Sequence, residues 1–119
     1  MLFMPIVYYG RPGLESDIFV SYMRHSGYPV QVVPLENGEF PQIVRLPASV
    51  AVVSTDRAAD QTLHFVQEIR RQTEDCVKIF VIADLPAVEP EVPSVEIINR
   101  PNHLGAVVKK IQGLSRTGV

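Results

Sequence analysis

The stretch Ser49-Val50-Ala51-Val52-Val53-Ser54-Thr55-Asp56 constrains the fold more than any other. Val50 to Val53 form an unbroken apolar run that ends in small polar residues, the pattern of a strand buried on both faces. Such a strand belongs in the middle of a parallel sheet, with helices over both faces. In an open α/β sheet, ligands and reacting groups gather at the carboxyl ends of the central strands, so Ser54, Thr55 and Asp56 stand where chemistry is expected.

The flanking chain supplies an alternating pattern. Ile6-Val7-Tyr8-Tyr9 is a first strand delivered into the tight loop Gly10-Arg11-Pro12-Gly13. From Leu14, the apolar residues Leu14, Ile18 and Tyr22 fall at i, i+4 and i+8, with Phe19 and Met23 beside them. That spacing predicts an amphipathic helix of about three turns, with Gly27 just past its end as the C′ residue. Pro29 to Val33 is a second strand stopped by Pro34, and Gly38 and Pro41 leave the next helix short or irregular. After the central strand, Asp56 can cap a helix with inner stripe Ala59, Leu63, Val66 and Ile69 and with Gln67, Arg70 and Arg71 on its other face. Val77 to Ala83 is a fourth strand and Val95 to Ile98 a fifth. Asn102 is placed as the N-cap of a final helix whose stripe is Leu104, Val107, Val108, Ile111 and Leu114. Residues 115–119 are expected to fray or begin a linker.

Between the fourth and fifth strands, Pro86, Pro90 and Pro93 fall within eight residues and exclude a regular helix. The expected architecture is therefore a single α/β domain over 1–119: a flavodoxin-like, doubly wound five-stranded parallel sheet of order 2-1-3-4-5, its fourth helix replaced by a proline-rich loop.

Composition removes several classes of function. A chain of 119 residues is one domain's worth and can bury roughly two-thirds of its unfolded surface. A net charge of −2 offers no electrostatic footprint for nucleic acid or an anionic membrane. The lone Cys76 excludes an internal disulfide and a multi-cysteine metal site, and it fits a reducing compartment. Met1 to Met4 is too short and lacks the basic flank of a signal peptide or membrane span, so a cytoplasmic location is expected.

At Asn99-Arg100-Pro101, between the fifth strand and the final helix, the chain resembles the receiver domain of bacterial response regulators. The Gly27-Tyr28-Pro29-Val30 entry to the second strand, the strand spacing and the apolar stripe of the last helix all fit, and the resemblance spans roughly Pro5 to Leu114. It implies a signalling role in two-component systems. It also implies a phosphoacceptor aspartate ending strand three, an acidic pair ending strand one, a hydroxyl ending strand four and a lysine before the proline. This sequence departs at each. Ser54, with Thr55 and Asp56 after it, stands in the phosphoacceptor region, and Tyr9, Gly10 and Arg11 stand in the acidic-pair region. Ile82 and Ala83 replace the hydroxyl, and Arg100 precedes Pro101 in place of the lysine. The resemblance therefore identifies a degenerate, pseudo-receiver member.

Chemistry points the same way. An acyl phosphate requires a carboxylate nucleophile, a divalent cation and further oxygen ligands to hold that cation. Glu15 and Asp17 fall well past the first strand, on the helix, and Asp84 alone is a thin substitute. Gly10 to Ser16 could cradle an anion at a helix start but lacks the lysine and hydroxyl of a P-loop and the spacing of a dinucleotide fingerprint. His25, His64 and His103 are far apart, with no zinc-like spacing around them. Ser54-Thr55 lacks the glycine-flanked turn of a nucleophile elbow.

The expected function is therefore non-enzymatic. The domain would bind another protein or domain of a signalling pathway, or a second copy of itself, without aspartyl phosphorylation, metal or cofactor. Leu85, Val88 and Val92 on the proline-rich loop are the candidate partner contacts. The alternatives are a small-molecule- or nucleotide-binding flavodoxin-like domain and an atypical receiver phosphorylated at Asp56.

Overall fold

The computed structural model describes residues 5–34, 49–55, 60–73, 77–83, 95–99 and 103–117. Five strands, β1 (Ile6–Gly10), β2 (Val30–Pro34), β3 (Val50–Ser54), β4 (Lys78–Ala83) and β5 (Val95–Asn99), form one sheet of order β2-β1-β3-β4-β5. Every pairing is parallel, as the strand-helix alternation predicts. Among the described residues the helices are α1 (Leu14–His25), α2 (Asp60–Thr73) and α3 (His103–Thr117).

Strand alternation sorts the core into two layers. Ile6, Tyr8, Val50, Val52, Phe80, Ile82 and Ile98 point to the side of α1 and α3, where they meet Phe19, Met23, Val107 and Ile111. Val7, Tyr9, Ala51, Val53, Ile79 and Val81 point to the other side, against Phe65, Val66 and Ile69 of α2. All five residues of β3 are buried, as expected for a central strand covered on both faces.

The end of α1 follows its sequence signal closely. Gly27 has a φ of 99°, a conformation open to glycine and costly for other residues. Its N–H donates to the Arg24 carbonyl (3.0 Å) and the Tyr28 N–H donates to the Met23 carbonyl (2.9 Å), which together make a Schellman motif. Buried Tyr28 joins the same core cluster as Met23, the apolar contact that accompanies such caps.

Three expectations need correction. The stripe Leu14, Ile18 and Tyr22 does not face the core: these residues are 75%, 47% and 51% exposed, and the buried face of α1 is Ser16, Phe19, Val20 and Met23. Two apolar stripes lie about 150° apart on this helix, and the polar Ser16 disguised the inner one. Arg70 is not on the solvent face of α2 but 8% exposed. Its long aliphatic stem lets it lie in an apolar layer. Helix α3 continues to Thr117, beyond the expected fraying point.

Several expectations lie outside the described residues: the irregular second crossover (35–48), the cap at Asp56, Ala59, Cys76, the proline-rich loop with Leu85, Val88 and Val92, the Arg100-Pro101 junction, and Asn102.

Candidate functional site at the carboxyl end of the sheet

The register defines what stands around Ser54. On the α1 side of the sheet, Pro34 is level with Gly10 and Ser54 with Ile82, which is in turn level with Ile98. Tyr8 pairs with Val52, so Gly10 lies beside Ser54 one step further along β1. The last inward row is thus Pro34, Gly10, Ser54, Ile82 and Ile98. Ser54 is its single polar side chain, 6% exposed.

Neither neighbouring strand brings an acid to that row. Tyr9 points to the opposite face, where its ring meets Phe65 edge-on at 5.1 Å. Gly10 has no side chain, and the space one would occupy is filled. A Cβ built there would lie 2.5 Å from Tyr8 Cε1 and 2.9 Å from Tyr8 Cζ. Arg11 is exposed. Ile82 and Ala83 are fully buried, and the Ile82 carbonyl accepts a hydrogen bond from the Thr55 N–H (2.9 Å), extending the β3–β4 pairing past the end of β3.

Tyr8 is the residue that organises this corner. Its ring is fully buried, stacks on Phe19 of α1 at 5.1 Å with 26° between the planes, and runs under Gly10 toward the strand end. Ser16 Oγ hydrogen-bonds both the Arg11 carbonyl (2.5 Å) and the Tyr8 hydroxyl (3.3 Å). These bonds satisfy the buried hydroxyls and tie the first turn of α1 to the β1 loop.

A carboxylate does reach the row, but from the helix. Glu15 in the first turn of α1 accepts a hydrogen bond from Ser54 Oγ through its Oε1. The sequence-based dismissal of Glu15 as too far along the chain is therefore corrected. In a right-handed crossover the helix starts at the carboxyl end of the sheet, so its first turn hangs over the neighbouring strand's tip. Asp17, two residues on, is exposed. The arrangement provides one half-buried carboxylate holding one buried alcohol. Among the described residues no group of three or more His, Cys, Asp and Glu side chains could hold a metal ion. His25 and His64 are exposed.

The sheet order and crossovers define a receiver-like, flavodoxin-like fold. No protein-family model and no curated protein matches the chain. Two solved structures share its architecture. A response regulator receiver protein from Sinorhizobium medicae WSM419 superposes with a TM-score of 0.70, covering 97% of this chain and 96% of its own at 14% identity. A response regulator protein from Burkholderia multivorans superposes at 0.63, covering 94% and 95% at 13% identity. The likeness is one of fold along the whole domain. No helix among the described residues is long and apolar enough to cross a membrane.

Sequence reasoning singled out Ser54, Gly10, Ile82 and Ala83 at this corner but missed Glu15, Tyr8 and Ser16. Strand parity held a usable signal for Tyr8, since residues 8 and 10 of one strand share a face, and a large ring below a glycine can fill the glycine's vacancy.

Proposed function

We propose that this is a non-catalytic, receiver-like signalling domain that works by binding another protein or domain, independently of aspartyl phosphorylation. The observation that carries the proposal is the content of the last inward row. Ser54 stands at the tip of the central strand, its hydroxyl is committed to Glu15, and the place beside it is packed by the Tyr8 ring. A serine hydroxyl would yield a phosphate ester and not an acyl phosphate, and the one half-buried carboxylate beside it among the described residues is a poor Mg²⁺ cage, since that ion keeps octahedral oxygen coordination. The fold likeness to two response-regulator proteins supports a signalling role. What survives is a rigid domain whose outer helices and loops are its means of action.

Incubation with a small phosphodonor and Mg²⁺, followed by intact-mass measurement, tests this directly. The unmodified mass is expected. A single phosphoryl adduct that Asp56→Ala abolishes would replace the proposal with an atypical receiver. If a nucleotide, flavin or sugar phosphate raised the melting temperature in proportion to its concentration, a ligand-binding domain would take its place.

A further inference from the structure

We propose that the outer face of α1 is a self-association surface on which two copies of this chain pair antiparallel about a two-fold axis. This does not depend on how the Ser54 corner is read. Leu14, Ile18 and Tyr22 form a row of large apolar side chains, exposed and spaced one helical turn apart. The row continues into an open groove of about 360 Å³ between α1 and α3, lined by Ile18, Tyr22, Leu104, Val108, Lys109 and Gln112 among others. Contiguous exposed apolar surface of this kind marks an interaction site more often than isolated exposed residues do.

The occupant follows from charge and geometry. Helix α1 carries Glu15 and Asp17 in its first turn and Arg24 and His25 in its last, which also complements its own dipole. Two such helices crossing antiparallel at their midpoints set the acidic turn of one copy beside the basic turn of the other, twice. In an isologous contact equivalent flanks of the two helices meet. Asp17 and Arg24 share one flank of the apolar row, so Asp17 of each copy comes within about 3 Å along the axis of Arg24 of the other, whose guanidinium also donates to the Val30 carbonyl of its own copy (2.8 Å). In the same register the six apolar side chains interleave along the axis as Leu14, Tyr22, Ile18, Ile18, Tyr22 and Leu14, contributed alternately by the two copies. The wall formed by α3 lies on the opposite flank and encloses the row from that side. An unrelated partner would have no reason to reproduce this self-complementary charge order.

Sedimentation equilibrium over a micromolar to millimolar range tests the proposal on the intact chain. Expected are a reversible wild-type dimer, a dissociation constant raised about tenfold or more by Ile18→Glu, and a smaller weakening by Asp17→Lys. Because Ile18 is half exposed in the monomer, its circular dichroism spectrum should not change. Gln67→Glu, which places a charge at an exposed position on α2 across the sheet, is the control and should leave the dimer intact. A wild type that stays monomeric throughout, an Ile18→Glu variant that dimerises as before, or equal weakening by Gln67→Glu would each overturn it.

Discussion

The inner and outer faces of α1 differ less in composition than in what they meet. The inner face sets Phe19 and Met23 against Tyr8 and the sheet and seals the corner around Ser54, while the outer face leaves Leu14, Ile18 and Tyr22 in solvent. One helix thus packs against the Ser54 corner with one face and leaves an apolar surface exposed on the other. The comparison teaches that in a fold of this kind the site and the surface can be set independently, because residues on different faces of one helix answer to different constraints.

The largest expected effect separates the two faces energetically. Phe19→Ala removes a fully buried ring that stacks on Tyr8 and should cost about 3–5 kcal/mol in denaturant unfolding. Ile18→Ala, one residue away, should stay within about 0.5 kcal/mol when measured on the monomer. Comparable costs at both positions would erase the distinction.

Next comes the packed corner. Gly10→Ala should destabilise by about 1–3 kcal/mol through the collision with the Tyr8 ring. In a Tyr8→Phe background the cost should persist, because the contact is with ring carbons. In a Tyr8→Leu background it should fall by more than half, a coupling that a double-mutant cycle reads out. Equal costs in all three backgrounds would remove Tyr8 as the filler of the site.

A smaller effect is expected at the strand tip. Ser54→Ala should cost about 1 kcal/mol by deleting the hydrogen bond to Glu15, and most of that cost should vanish when Glu15 is already Ala and offers no acceptor.

The smallest lies on the exposed side of α2, where Arg71 hydrogen-bonds Glu68 and holds its carboxyl below the ordinary carboxylate range. Because the folded value is lowered, any stabilisation from this pair is present above the ordinary pKa and is lost as pH falls through the lowered one. The pair is solvent-exposed, so the readout is the titration itself: in an NMR pH series Arg71→Ala should bring the Glu68 carboxyl back up.

How much of this was legible in the sequence depended on whether the signal was local. The Val50 to Val53 run forced a central strand, and Gly27 with Tyr28 specified the end of α1, because each relies on neighbours in sequence. Ser54 was found because it ends that strand. Glu15 and Tyr8 were not, since their roles come from a crossover that lays a helix start over another strand and from a ring that occupies the volume of a residue two places on. The burial of Ser16 depended on the Arg11 carbonyl and the Tyr8 hydroxyl, partners that no periodicity reveals.

The central claim is that the carboxyl end of β3 is a filled corner rather than a phosphoryl-accepting site. The most direct measurement is an amide NMR spectrum recorded with and without Mg²⁺ and beryllofluoride, a mimic of the acyl phosphate. Unchanged shifts for Gly10, Ser54, Thr55 and Ile82 are the predicted result. Saturable shifts at these amides, abolished by Asp56→Ala, would contradict it.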